Sequence, residues 1–478
     1  MMLLLFCTFI SVPHLIAAHP PGAEVAEQIL AQSQKKGTAQ YALCVWQEGD
    51  KKPWCSYRSA QPMTPASVTK LFSTATALIK LGPEYQYVTK VYQKGTLSGG
   101  VFKGDLVVLG SGDPSIASRK FKKDAHRLGK LIKSVVQAYG IKKIVGNVVV
   151  DGSRFCAEGY NPTWQKGDYG KYYAAPTYGF NIFDNHVDLT LNTGAVGTTP
   201  TIASTYPADT GIEWDNQIRT TRKGGGIRGT GNSLTNRRTL TGALAPNRKG
   251  YTMATDIPDP ASVGVHYILN ALADCGVDIS QCTGQRTYEP VNLKGAVLLG
   301  EYLSHTLKQI CRATNVYSIN PFAEALLRSA ALADSPDCVS TQEGIEAVRA
   351  QWLKKAGIAP AQLVLYDGSG LSRSDRISAE ALCRLLIYMS ELPTAASAAF
   401  FESLPRVGHE GTVRNLFKGT ARQMYFKSGS MTGIQSYAGY IYYRDKWHAF
   451  AFISNNVKNK GAMKSALGKV IETLFPLG

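Results

Sequence analysis

The sequence predicts an α+β protein of two or three domains, and three observations carry that expectation. The chain has 478 residues, more than one ordinary domain holds. With 44% hydrophobic and 18% charged residues its composition is that of a folded globular protein, not a disordered one. Its 46 glycines and 24 tyrosines imply many turns and strands, while helical periodicity recurs toward both ends.

Taken in order, residues 2–18 form an uncharged stretch with an apolar core, followed by His19-Pro20. This is expected to be a secretory signal cleaved near Ala18, although no Lys or Arg precedes the apolar core. A short N-terminal membrane helix is the other reading, and the run is brief for it. Cys7 falls too early for a lipid anchor, and no later segment is long and apolar enough to span a bilayer. Ser33-Gln34-Lys35-Lys36 reads as a solvated helix end. Cys44 and Cys55 flank a turn between two strand-like runs, where a hairpin would bring them opposite each other. The strongest helical pattern follows, with Thr64 as N-cap and Pro65 at the first helical position. Val68, Leu71, Phe72, Ala75, Leu78 and Ile79 form its broad apolar face, and Gly82-Pro83 ends it.

Residues 85–115 read as strands, 128–139 as a helix and 143–150 as another strand. From Asp151 to about Tyr288 the chain is rich in Gly, Thr, Asn and Pro, with short alternating runs and few long helical patterns. Helical periodicity returns over 302–327 and 343–355. The end reads strand, turn, strand, helix over 424–427, 436–443, 447–453 and 463–474. That last helix is expected to pack across a sheet, in preference to lying on a membrane surface.

Without Cys7 eight cysteines remain, an even number that suits an oxidising compartment. Besides Cys44 and Cys55, the pairs Cys275/Cys282 and, more loosely, Cys311/Cys338 are close in sequence; pairing stays open, and a buried thiol is the alternative for each. No zinc-spaced Cys or His cluster occurs, so no metal and no cofactor is expected. The net charge of +17 gathers at Arg119–Lys123, Arg219–Lys223 and Arg237–Arg238. In an exported protein it points to a solvated basic face, or to peripheral contact with anionic envelope surfaces. No nucleic-acid-binding motif accompanies it.

Within the strongest helix, Ser67-Val68-Thr69-Lys70 sets a hydroxyl and an amine one turn apart on one face. A chain of this length holds roughly two such matches by chance, and Ser33-x-x-Lys36 is the other, so context decides. In a first helical turn, free N–H groups and the dipole favour developing negative charge. Ser318-Ile319-Asn320 sits at a junction between helical segments, and an extended backbone there would point Ser318 and Asn320 into one cleft. Alone it means little, because Ser454-Asn455-Asn456 matches as well. Lys427-Ser428-Gly429-Ser430 begins on a strand expected at a sheet edge. Its lysine would present an ammonium, its hydroxyls hydrogen bonds, and Gly429 a close approach of backbone to ligand.

The three motifs stand in the order of the active-site serine penicillin-recognising enzymes. Over nearly the whole mature length the chain resembles penicillin-binding proteins of the D-alanyl-D-alanine carboxypeptidase/endopeptidase type, the penicillin-binding protein 4 family. The resemblance extends to Gly110–Pro114, Trp164 with Gly167-Asp168 and Ala175-Pro176, and Thr241–Pro246. It continues through Asp367–Arg373, Ser403-Leu404-Pro405, Gly408–Thr412 and Ala438–Ile441. Departures are small: Ile319 stands for the common Asp, Ser428 for the common Thr, and His409-Glu410 for a more usual acidic pair. What the resemblance implies is a transpeptidase/β-lactamase-like catalytic domain built from residues 19–84 and 289–478, with an antiparallel sheet flanked by helices. Residues 85–288 would be inserted, as two nested β-rich domains.

The implied activity is hydrolysis of D-Ala-D-Ala peptides, and of cross-links, in peptidoglycan stem peptides, with acylation by β-lactams. Ser67 would be the nucleophile and Lys70 the base, with Ser318 and Asn320 orienting Lys70 and relaying the proton. The Ser67 and Ser430 N–H groups would form the oxyanion hole, and Lys427 would attract the terminal carboxylate. Asp168, Tyr173 and Arg373 would contact the side chain preceding the scissile bond, or else form structural hydrogen bonds. The family includes dimers, so a homodimer is open, and localisation would be periplasmic. An ordinary lysine is neutral about once in 2,500 at pH 7, so Lys70 needs roughly 4 kcal/mol of preference for the free amine. Lys427 and partial burial are the expected causes. Two rival readings use the same residues: a β-lactamase, which normally deacylates through an added glutamate and water or an equivalent base and is a shorter chain, and a non-catalytic binding or sensing module.

Overall fold

A computed structural model describes residues 22–332, 334–335 and 338–477 of the chain. The expected signal at 2–18, with Cys7, lies outside the described residues. A five-stranded antiparallel sheet is assembled from the two ends of the sequence, in the order Met424–Met431, Ile434–Tyr443, Lys446–Asn455, Gln40–Gln47, Cys55–Tyr57. Alternation sends its side chains into two cores. Ala42, Cys44 and Trp46 join Ala449, Ala451 and Ile453 in one, and Tyr41, Leu43 and Val45 join Phe450 and Phe452 in the other.

The first core is covered by helices that include Lys70–Leu81, Leu307–Tyr317, Asn320–Ser329 and Ala379–Glu391; the second by Ala23–Lys35 and Lys460–Leu474. The C-terminal helix thus packs across the sheet, burying Met463, Leu467, Val470 and Ile471. Ser33 lies in the last turn of Ala23–Lys35, with Lys36 exposed just beyond it.

Register explains why Cys44 and Cys55 are not bonded to each other. Cys44 pairs with Ser56 and Cys55 with Val45, so the two thiols fall on opposite faces of the sheet. Both are free and buried; Cys275, Cys282, Cys311 and Cys383 are free as well. Among the described residues the disulfide is Cys156–Cys338, 182 residues apart. It fastens the segment after Asp151 to the helical side of the five-stranded antiparallel sheet, beside the bridge between Phe155 and Val339.

The intervening chain has its own core. Its main sheet runs Asp278–Thr287, Lys143–Asp151, Val101–Leu109, Val88–Ser98, Val297–Leu303, so it takes in strand residues up to 303. Parallel pairings within it are bridged by helices Arg127–Tyr139 and Pro260–Asp274. The second helix answers a start signal that a Gly- and β-branched-rich sequence obscures: Asp259 accepts from the Ser262 N–H, and Pro260 opens the helix. Smaller sheets built from strands between His186 and Asp256 complete the insert, with a small core around Leu189, Leu191 and Leu240.

The basic clusters are partly internal. Arg238 is fully buried and holds Asp256 through two bonds, Nε–Oδ1 at 2.8 Å and Nη2–Oδ2 at 2.9 Å. Arg119 pairs with Asp188. Lys122, Lys123, Arg222 and Lys223 remain exposed.

Candidate active site

The Ser67 segment does not open as the sequence suggests. Thr64 is no cap: its N–H donates to Asn455 Oδ1 (3.1 Å), and its carbonyl accepts from Asn455 Nδ2 (2.9 Å). The tripeptide that mimicked Ser318-x-Asn320 thereby acquires a structural task. Ala66 then takes a left-handed φ of 52°, a conformation that costs a non-glycine residue on the order of 1–3 kcal/mol. The turn Ala66–Thr69 is 3₁₀, and the α-helix proper begins at Lys70. Ser67 is held half-exposed on that turn while Val68, Thr69 and Lys70 are buried.

Two glycines let the surroundings close on this turn. A Cβ on Gly429 would lie 2.6 Å from Pro65 O and 2.9 Å from Ser67 N; one on Gly370, whose φ is 76°, would lie 2.0 Å from Ala66 O. Gly429 therefore serves a close approach of the edge strand to the Ser67 turn itself.

Lys70 is fully buried. Its Nζ donates to Ser67 Oγ at 3.0 Å, Asn320 Oδ1 at 2.6 Å and the Ser369 carbonyl at 2.7 Å. Burial drives its pKa down to about 7, against the opposing pull of Asp367, Glu324 and Asp375. Desolvation is the first cause, and the burial is complete where partial burial was expected. Lys427 is itself lowered well below an ordinary lysine, first by burial and then by the charge of Lys70, and the repulsion between the two ammonium groups acts on both.

Ser318 and Asn320 reach the site by a route other than an extended strand. Helix Leu307–Tyr317 ends on Ser318 in the left-handed conformation (φ 60°, ψ 44°), and Asn320 starts the next helix. The reversal separates their partners. Asn320 accepts from Lys70 and donates Nδ2 to Tyr173 O at 2.7 Å, whereas Ser318 Oγ accepts from Lys427 Nζ at 2.9 Å. Met424–Met431 is the edge strand, as alternation implied. On it Ser428 Oγ pairs with Thr412 Oγ1 (2.7 Å), Gln435 Nε2 donates to the Gly429 carbonyl (3.0 Å), and Ser430 is exposed.

Ser67, Ser318, Asn320 and Ser430 line one cavity of about 480 Å³ together with Asp168, Tyr173 and Arg373. Asp168 Oδ1 accepts from Tyr173 Oη (2.8 Å) and from Lys171 Nζ (2.9 Å), and Arg373 Nη2 donates to Thr432 O (3.3 Å). Arg373 Nε is buried without a partner among the described residues. Sequence reasoning missed Lys171, which is visible only as the neighbour of Asp168, and the Ser369 carbonyl, which no side-chain pattern reveals. His409 and Glu410 belong to a turn: Glu410 accepts from the Arg406 N–H and pairs with Arg312.

Comparison with known proteins agrees with this arrangement. The chain is 27% identical over 414 residues to a D-alanyl-D-alanine carboxypeptidase of Actinomadura sp. strain R39, covering 83% of this chain and 74% of that one. It is 24% identical to the D-alanyl-D-alanine carboxypeptidase DacB of Haemophilus influenzae, covering 80% and 78%. It is 26% identical to the penicillin-sensitive carboxypeptidase A of Dictyostelium discoideum, covering 81% and 75%. In fold it is similar to the crystal structure of penicillin binding protein 4 from Haemophilus influenzae, with a TM-score of 0.82 at 22% identity over 95% of this chain and 99% of that one. Residues 23–472, which take in the elements described above save the last two residues of the C-terminal helix, match the sequence profile of the D-Ala-D-Ala carboxypeptidase 3 (S13) family, and the chain belongs to that family.

Proposed function

We propose that this serine-type D-Ala-D-Ala carboxypeptidase/D,D-endopeptidase acts on peptidoglycan stem peptides through an acyl-enzyme on Ser67, with Lys70 as general base. Ser67 Oγ bonds to the carbonyl carbon as its proton passes to Lys70 Nζ. The C–N bond then breaks, the leaving amine takes up the proton, and water releases the shortened peptide. The backbone N–H groups of Ser67 and Ser430 serve the oxyanion. Lys427 and the Ser428–Ser430 strand receive the substrate carboxylate. Ser318, bonded to Lys427, connects that lysine to the cavity, and Asn320 orients Lys70.

The observation that carries this reading is the state of Lys70. A buried amine 3.0 Å from Ser67 Oγ, with its pKa lowered to about 7, is free base about half the time at neutral pH. Asp168, Tyr173 and Arg373 line the same cavity and suit recognition of the polar side chain that precedes the scissile bond. An exported protein of the bacterial periplasm is the setting that fits peptidoglycan as substrate.

A labelled penicillin should acylate Ser67, and Ser67→Ala should abolish both labelling and release of terminal D-alanine. Normal peptide turnover by that variant would contradict the reading; labelling of the wild type without peptide turnover would favour a sensor instead. Assays on monomeric and cross-linked muropeptides divide the carboxypeptidase from the endopeptidase activity.

A further inference from the structure

Three carboxyl groups are buried around Lys70. Asp367 and Asp375 lie on the loop between the short strands Leu363–Val364 and Arg376–Ile377, and Glu324 lies on helix Asn320–Ser329. Asp367 organises its own loop: its oxygens accept from the N–H groups of Gly370 (2.6 Å) and Ser372 (2.7 Å) and from Trp164 Nε1 (2.7 Å). Asp375 Oδ1 accepts from the Tyr366 N–H at 2.8 Å.

Glu324 is different. It stands one helical turn beyond Asn320, on the same face, and its Oε2 accepts from the Gly368 N–H at 3.0 Å. The Gly368 carbonyl accepts from Ser73 Oγ (2.8 Å), and the next carbonyl, Ser369 O, receives Lys70 Nζ. Glu324 and Lys70 thus hold adjacent residues of one backbone segment, Gly368 and Ser369. Among the described residues the other Glu324 oxygen, Oε1, is buried with no hydrogen bond, as is Asp375 Oδ2, although the Ser369 hydroxyl stands near enough to hold the Glu324 carboxyl down. Glu324 also lines a second cavity, of about 420 Å³, with Trp164, Arg328 and Tyr366. A carboxyl with one oxygen unsatisfied costs stability, and a glutamine would hold Gly368 equally well. Its acidity is therefore surplus to the packing and points to an electrostatic task.

We propose that Glu324 is a positioning residue for the general base. It fixes the Gly368–Ser369 backbone that receives Lys70, and its carboxylate is a counter-charge for the Lys70 ammonium formed when Ser67 gives up its proton. No proton passes to Glu324: the Ser67 proton goes to Lys70 Nζ and onward to the leaving amine. The idea rests on Lys70 being the base. Other charged groups facing the lysine are Asp367 and Asp375 from the loop and Lys427 from the edge strand. Arg328, one turn further along the helix, is paired with Glu158. Burial and then the charge of Asp367 push the Glu324 carboxyl up, against the Ser369 hydroxyl, the Gly368 N–H and, least of the three, Lys70, which hold it down.

The test is the rate of Ser67 acylation by a labelled penicillin against pH, in the full chain and in Glu324→Gln. Loss of the counter-charge leaves Lys70 a weaker base. The rising limb should move acid-ward by about one pH unit and the high-pH plateau should fall, so that the two curves cross. A purely structural role would lower the rate at every pH and leave the midpoint in place, and that result overturns the proposal. Should Glu324→Gln fail to fold, Glu324→Asp draws the charge back by one methylene and should move the midpoint the same way, by less; an unmoved midpoint there overturns it equally. Absence of any wild-type label on Ser67 overturns the catalytic reading beneath it, whereas labelling with coincident midpoints overturns the role of Glu324 alone.

Discussion

Lys70, a fully buried amine, is costly to the fold and is the side chain on which the proposed chemistry rests. Three acceptors hold it, and only the proximity of Ser67 follows from local spacing. Lys70→Arg keeps a cation that cannot become neutral, so penicillin acylation should fall by roughly 10²–10⁴-fold, measured as a second-order rate at pH 8. Asn320→Ala removes both the Oδ1 acceptor for Lys70 and the Nδ2 bond to Tyr173 O. A loss of about 10²-fold in acylation is expected from misplacing the base, with little change in the melting temperature. The Ser-x-x-Lys, Ser-x-Asn and Lys-Ser-Gly residues are legible as motifs, although the turns that carry Ser67 and Ser318 differ from the capped helix start and extended segment expected of them. The full burial of Lys70 was not legible, because sequence shows which charges exist and not how deeply an amine is buried. The Ser369 carbonyl, 299 residues from Lys70, belongs to backbone and leaves no mark in a motif.

At the scale of elements, the three motifs meet from the 3₁₀ turn at Ser67, the junction between two helices at Ser318–Asn320, and an edge strand, with the Ser369–Arg373 loop and the Asp168–Tyr173 segment closing around them. Gly429 sets how closely the strand approaches the turn. Gly429→Ala places a methyl against Pro65 O and Ser67 N, backbone atoms that yield only if the strand moves. It should destabilise by about 1–3 kcal/mol and depress acylation far more than stability, measured by thermal melting beside the labelling rate. Helix and strand periodicity located most of these elements. It failed at Thr64, because Asn455, 391 residues away, takes the backbone groups that a cap would have served. It failed at Pro260–Asp274 because Val263, Gly264 and Val265 resemble strand or loop until Asp259 and Pro260 are recognised as a helix start. For Cys44 and Cys55 the hairpin was right and its register, one residue off facing, was not readable.

The whole molecule brings residues from both ends of the chain around an insert that contributes Asp168, Lys171 and Tyr173 to the cavity. The Cys156–Cys338 bond fastens that insert to the catalytic part across 182 residues, a pairing no local spacing suggested. Replacing both cysteines with serine should cost about 2–5 kcal/mol and lower the melting temperature, and the wild type should follow when reduced. Lys70 also leaves a signature in global stability. Its folded pKa, about 7, lies below that of an unfolded lysine, near 10.4. The unfolded chain therefore binds the extra proton between those values, and stability rises with pH across that window. Lys70→Met removes this dependence, so its gain in melting temperature over the wild type should be largest near pH 6 and shrink toward pH 10.

The neutral lysine is tested most directly by the pH dependence of wild-type acylation at Ser67. The second-order rate with a labelled penicillin, followed from pH 5 to 10 on protein that stays folded throughout, should rise with a midpoint near 7 and level off above 8. A rate that continues to climb roughly tenfold per pH unit toward 10, as an ordinary lysine would require, would contradict it.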